Sequence, residues 1–452
     1  MLNEQEKQLM AWIDDHRDEI IEFWRDLIRI PSLTGHEGEA QRFVEKQLRK
    51  IGMDMDVWEP DVKELFEKFP DIAQYPTSWE PELDLVLRFP EVCTYEQYIT
   101  SGLADKLNYK DRPIVVGTFK GTGGGRSLIF NDHTDTVNLG DISKWDYDPF
   151  GAEMVGDRVY GRGAADTKAG VAAMVYAATA LKGIGAELRG DLIVESVVNE
   201  EHCGNGTLAC IARGYTADAS ITPDGQNSHT LFKSNFGNLS FFVTLYGYQT
   251  HTGQRWQNGK LVGVSAIDKL PRVIEEILKI EQEANKDGFK MNLGLGTIEG
   301  GTYATATADK CLIQGVIYYS PKLGAGVESV AMVRNMLINA VKKACEGDEW
   351  LMAHPPKVEI SHYDDAYEYH FENRDIIDSI VASGKDLGID IEVTDDPAAC
   401  DVRHMGNTAN VPAVVYGPAN LPLAHQVNEW SSVEDLITGT KVMALTALRW
   451  CK

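Results

Sequence analysis

The chain has 452 residues, 43% of them hydrophobic and 25% charged, and a formal net charge of −25. That length predicts two domains rather than one core. The charge argues against nucleic acid and anionic membranes as partners, and no apolar stretch is long enough to span a bilayer.

The first residues, "MLNEQEKQLMAWIDDHRDEI", are charged and lack the basic, apolar, small-residue order of an export signal, so the expected location is the cytoplasm. Leu9, Trp12, Ile13, Ile20, Ile21, Trp24, Leu27 and Ile28 form a helical stripe. Pro31 and Gly35 break it, and a second helix follows over "GEAQRFVEKQLRKIG". "MDMDVWEP" predicts a strand. Residues 60–112 read as an irregular surface excursion. "PIVVGTFKG" and "RSLIFNDHTDTV" predict two strands, with "GTGGG" between them as a hairpin turn; no helix pattern or Lys-Ser/Thr pair follows the glycines to make a phosphate loop. "DTKAGVAAMVYAATALKGIG" is a small-residue helix. "DLIVESVVNEE" and "ADASITPDGQ" are apolar runs that end in acid. This alternation predicts a mixed, mostly parallel sheet with helices on both faces. Sites in such sheets form beyond the carboxyl ends of the strands.

From about residue 238 the pattern becomes strand, helix, strand, strand, helix, strand, the order of a ferredoxin-like α+β domain. The chain then returns to helix, the strand "PAVVYGP" and a last helix. The expected division is therefore a catalytic domain of residues 1–237 and 363–452, with an inserted lid domain of residues 238–362. Seven cysteines with no C-x-x-C pair argue against a disulfide framework and a cysteine-built zinc site.

Five stretches share a chemical theme: "NDHTDTV", "GRGAADTKAG", "VVNEEHCGNG", "ITPDGQ" and "LAHQVNEW". Each sets His, Asp or Glu at a predicted strand end or loop. His133 and Asp135 sit at i and i+2 and so face the same way on a strand. Glu200 and Glu201 follow an apolar core strand, where two like charges raise each other's pKa or demand a cation.

In this order and at these separations the motifs resemble the zinc amidohydrolase and peptidase family of acetylornithine deacetylase, succinyl-diaminopimelate desuccinylase, aminoacylase and glutamate carboxypeptidase. The resemblance implies two Zn2+ per subunit, with Co2+ or Mn2+ as possible substitutes. It assigns His133 and Asp224 to one metal, Glu201 and His425 to the other, and Asp166 to both, with a cis peptide after Asp166. It makes Asp135 the carboxylate behind His133, Glu200 the general base, and His251 a lid donor to the oxyanion that reaches a partner subunit in dimeric relatives. It also implies a homodimer through the lid. His202, His229 and His404 match no ligand position.

The lid departs from the family pattern. Thr305 and Ala308 stand where Asn and Pro are usual, and Tyr318 stands where a carboxylate-clamping arginine is usual; a phenol cannot make that bidentate contact. Two readings stay open for Arg403 in "CDVRHMG": a clamp for an anionic substrate end, or an internal pair with Asp401. Tyr303, Tyr318 and Tyr319 offer an alternative aromatic acyl pocket. The leading expectation is a dinuclear hydrolase of the amide bond of a small N-acyl amino acid or related compound. The alternatives are a dipeptidase or carboxypeptidase of the same family, and a catalytically silent binding protein.

Overall fold

The structure, a computed structural model, describes residues 1–78, 88, 93–102 and 104–452. Strands β1 (Asp54–Trp58), β2 (Ile114–Phe119), β3 (Leu128–His133), β4 (Leu192–Val197), β5 (Ser220–Thr222) and β6 (Thr230–Phe232) belong to a central sheet. The chain then builds a second sheet from β7 (Gly237–Tyr246), β8 (Met291–Gly300), β9 (Lys310–Tyr319) and β10 (Lys357–Asp364). It returns to the first through β11 (Glu392–Thr394) and β12 (Ala413–Val415).

The central sheet has eight strands in the order β1-β2-β4-β3-β5-β12-β6-β11. It is parallel at β4/β3, β3/β5, β5/β12 and β6/β11, and antiparallel at β1/β2, β2/β4 and β12/β6. This is the mixed, mostly parallel sheet that the alternation predicts. Side-chain alternation along β4 sends Leu192 and Val194 into one core and Ile193 and Val197 into another. Against the first face lies the helix Lys168–Gly183, whose alanines and glycines let Arg17–Arg29 and Val433–Trp450 pack closely on it.

Two expectations are corrected. β2 and β3 do not form a hairpin, because β4 lies between them. The glycines of 121–125 serve a close approach instead: a Cβ on Gly121 would lie 2.4 Å from the Arg189 carbonyl oxygen, and one on Gly125 would lie 2.5 Å from the Gly190 nitrogen. Nor do the described residues of 60–112 form only an irregular surface excursion. Leu65, Phe66, Tyr75, Tyr98, Leu107 and Tyr109 are buried in the second core, on anchors too irregularly spaced to show a period; positions 79–87, 89–92 and 103 of that stretch lie outside the described residues. Gln74 Nε2 donates to the Tyr363 carbonyl at 2.7 Å and Tyr75 Oη to the Ser361 carbonyl at 3.1 Å, tying this segment to β10.

The second sheet is antiparallel in the order β8-β9-β7-β10. Its helices, Ala266–Lys286 and Val327–Cys345, cover one face, where they bury Leu239, Phe241, Val243 and Leu245 of β7. Alternation turns Asn238 and Ser240 to the opposite face. Register aligns Asn292, Tyr318, Asn238 and Asp364 in one cross-strand row, and Ser240 beside His362. The face left bare of helices therefore carries a polar stripe.

Candidate active site

His133 ends β3 opposite Val197 of the parallel β4, and Glu200 and Glu201 follow three and four residues later. Asp224 lies just beyond β5. Asp166 precedes the buried helix Lys168–Gly183, and its peptide bond to Thr167 is cis. His425 lies in the loop after Leu421–Leu423 with φ of 62°, a left-handed conformation that a histidine rarely adopts. Five separate strand ends and loops thus meet at one point.

There His133 Nε2 lies 3.3 Å from Asp166 Oδ1, 3.5 Å from Glu200 Oε2 and 4.0 Å from Asp224 Oδ2. His425 Nε2 lies 3.1 Å from Asp166 Oδ2 and 2.9 Å from Glu201 Oε2. Asp166 therefore offers one oxygen to each imidazole. Ligands on a tetrahedral ion with bonds near 2.0–2.1 Å stand ~3.3 Å apart, and the distances here, from 2.9 to 4.0 Å, bracket that value. The donor atoms of His133, Asp166 and Glu201 lie within 4.8 Å of one another, as do those of His133, Glu200 and Asp224.

The protonation pattern also fits a cation. His133 Nδ1 is 2.9 Å from the main-chain carbonyl of Asp135, which can only accept, so Nδ1 carries a hydrogen and Nε2 is the nitrogen that faces the carboxylates; burial opposes it, but Glu200, Asp135 and Asp166 push the imidazole well above its usual value. That Nε2 is buried and has no hydrogen-bond partner. Burial drives Glu200, Glu201 and Asp224 upward, Asp224 to about 8, with neighbouring carboxylates adding to the effect. Glu201 pushes His425 up to about 12. Although burial opposes it, His133 and His425 hold Asp166 well below the usual carboxylate range. Four carboxylates against two imidazoles leave buried negative charge that divalent ions would balance.

Asp135 differs in detail from its expected part. Its carboxylate is 3.6 Å from the His133 ring, farther than its own carbonyl. Instead it accepts from Thr34 Oγ1 at 2.8 Å, Glu200 N at 3.1 Å and Glu201 N at 3.3 Å. It thus fixes the backbone that aims both glutamates. Glu429, which sequence reasoning missed, plays a similar part: Oε1 accepts from Ala165 N at 2.8 Å and Asp166 N at 3.1 Å, while Arg162 pairs with Oε2 at 2.5 Å. Its position in the already singled-out "LAHQVNEW" was a usable signal.

Above the cluster opens a cavity of about 1040 Å³. Asp166, Glu200, Glu201, Asp224 and His425 line its floor, and Asn238, Ser240, Asn292, Gln314, Tyr318, His362 and Asp364 line its roof. Tyr318 is thus at the cavity. Thr305 and His251 are not among its lining residues: both are exposed, Thr305 accepting from Thr252 N at 2.8 Å and His251 Nδ1 from Gly253 N at 3.1 Å. Of the two readings of Arg403, the structure gives the internal one. Arg403 is buried, lies outside the cavity lining, and pairs with Asp364 at 2.5 Å, Asp365 at 3.3 Å and Asp401 at 3.8 Å. The aromatic pocket also fails as a trio, because Tyr303 is exposed and Tyr319 is buried against Ser329. His404 bonds the Cys203 carbonyl, whereas His202, its ring centroid 4.5 Å from that of His362 and tilted 38° to it, reaches the cavity.

The model of the family "Peptidase family M20/M25/M40" matches residues 129–449. The N-formyl-4-amino-5-aminomethyl-2-methylpyrimidine deformylase of Bacillus subtilis (strain 168) is 30% identical over 366 residues, covering 76% of this chain and 84% of that protein. The protein of the same name from Halalkalibacterium halodurans is 27% identical over 471 residues, covering 98% and 97%. Among solved structures, human carnosine dipeptidase 1 superposes with a TM-score of 0.68 at 14% identity, covering 99% of each chain, a likeness of fold.

Proposed function

The chain belongs to Peptidase family M20/M25/M40, and from that premise we propose that it hydrolyses the amide bond of a small N-acyl amine, with a formamide as the preferred substrate. The observation that carries this reading is the buried Nε2 of His133, without a hydrogen-bond partner and set among Asp166, Glu200 and Asp224. His133 and Asp224 would hold one divalent ion, Glu201 and His425 a second, and Asp166 both; zinc suits these donors. When bound, the ions lower the pKa of water and polarise a carbonyl.

Glu200 then takes the proton of the attacking water and delivers it to the leaving nitrogen. A carbon–oxygen bond forms, the carbon–nitrogen bond breaks, and a formamide and water become formate and a protonated amine. Asp135 acts as a positioning residue by holding the amides of Glu200 and Glu201.

The roof narrows the substrate. No lysine or arginine is among the described residues that line the cavity, so none of these residues offers a guanidinium or ammonium clamp for the α-carboxylate of an N-acyl amino acid. A formyl group on an amine that lacks a carboxylate suits the cavity, and the two deformylases named above act on such a compound by their names. We further propose a homodimer through the second sheet's domain, residues 238–362, with His251 and Thr305 serving at that interface, and a cytoplasmic location. No helix among the described residues is long and apolar enough to cross a membrane.

The test is a panel of N-formyl amines, N-acyl amino acids and dipeptides given to the metal-loaded protein. Turnover of formamides well above the other two classes is expected; turnover of dipeptides alone would overturn the reading in favour of a dipeptidase.

A further inference from the structure

Resting on the amide-hydrolase reading, this inference concerns the half of the substrate that leaves as the amine. The stretch Asp396–Cys400 forms a further wall of the cavity. Asp396 is 1% exposed yet lines the cavity. Its place is fixed: its N–H donates to the Ser234 carbonyl at 3.1 Å, and its Oδ1 accepts from Ala398 N at 2.9 Å.

The nearby cations are taken by its neighbour. Asp395 pairs with Lys233 at 3.1 Å and Lys290 at 3.9 Å. Asp396 has no ion pair with a described lysine, arginine or histidine. A buried carboxyl without a cation is costly to keep, and here the cost is met at a surface that a ligand reaches. Arg403, the sequence's candidate for holding an anionic substrate end, is already balanced by Asp364, Asp365 and Asp401. The cavity therefore selects for a hydrogen-bond donor, not for an anion.

We propose that Asp396 is a specificity-determining residue that holds the leaving amine through an amidine-type edge, an aromatic ring nitrogen beside an exocyclic amino group, as in a 4-aminopyrimidine. One carboxyl oxygen accepts from the amino group, and the other shares a proton with the ring nitrogen. The two hydrogen bonds are the same whether that proton sits on the acid or on the ring. Oδ1 keeps a second lone pair beside the Ala398 N–H. Pro397, Ala398 and Ala399 are small enough to leave a flat ring room against the wall.

Calorimetry on the metal-loaded full chain tests this, using 4-amino-5-aminomethyl-2-methylpyrimidine and its carbocyclic analogue, in which ring nitrogens are replaced by CH. Asp396→Asn keeps one acceptor and one donor and should bind the pyrimidine nearly as the parent protein does. Asp396→Leu should bind it about 10- to 100-fold more weakly, the worth of a bidentate base-edge contact, with little change for the carbocycle. Asp396→Ser reads the same ratio if Asp396→Leu does not fold. Equal pyrimidine affinity in the parent, Asn and Leu proteins would overturn the proposal, and so would an equal loss for both amines. Formamide turnover by the parent protein reports separately on the hydrolase reading: binding through Asp396 without any turnover would sink that reading and leave the subsite standing.

Discussion

The floor and the roof of the cavity are built by different rules. The floor gathers His133, Asp166, Glu200, Glu201, Asp224 and His425 from strand ends and loops, and nearly every contact there is a charge on a charge. The roof is one face of an antiparallel sheet, where the uncharged Asn238, Ser240, Asn292, Gln314 and Tyr318 are placed by alternation and register, with the His362–Asp364 pair of β10 beside them. On the proposed reading, the contrast is a division of labour: the floor would set the reaction, and the roof with the Asp396 wall would set what is allowed to react.

The largest break in that comparison should come from Glu200→Gln. It keeps shape and metal but removes the base, so kcat should fall about 10²- to 10⁴-fold with metal content unchanged by mass spectrometry; unaltered turnover would take Glu200 out of its role. A smaller loss is expected of Asp135→Asn, which puts an amide N–H toward the amides of Glu200 and Glu201. Metal affinity or kcat should drop ~10- to 100-fold, measured by metal titration and steady-state kinetics. On the roof, Asn238→Leu should act differently. It should raise KM for the formamide about tenfold, the worth of one hydrogen bond, and leave metal content alone. A loss of metal there would show that roof and floor are not separable.

The smallest effect sharpens the floor's electrostatics. Asp224 binds its proton more tightly when folded, with its pKa raised to about 8 by burial and by Asp166. That contribution to stability is present below the unfolded value near 4 and is lost as pH rises toward 8. The Tm of chelated protein should therefore fall over this range relative to metal-loaded protein, widening the gap between the two melting curves. A gap that narrows with pH would contradict the assignment.

The floor was legible in the sequence because its residues are chemically unusual where they stand. His133-x-Asp135 closes an apolar strand, and Glu200-Glu201 ends another; such placements have few purposes. The alternation of strands and helices gave the central sheet, and the order of elements gave the second one. The roof was not legible, since Asn, Ser and Gln at alternate positions look like any solvent face until register sets them over the floor. Arg403 could not be resolved from its motif, because Asp364 and Asp365 arrive from β10 and its following turn, far off in sequence. The hairpin reading failed for a related reason: glycines needed for close packing on Arg189 and Gly190 resemble glycines needed for a turn.

Zinc titration of chelator-stripped protein, followed by calorimetry and formamide hydrolysis together, tests the central claim most directly. Uptake of two ions per chain, with activity returning as they bind and neither seen in a His133→Ala, His425→Ala protein, is the predicted result. Full hydrolysis by the stripped protein, or no uptake of any divalent ion, would contradict it.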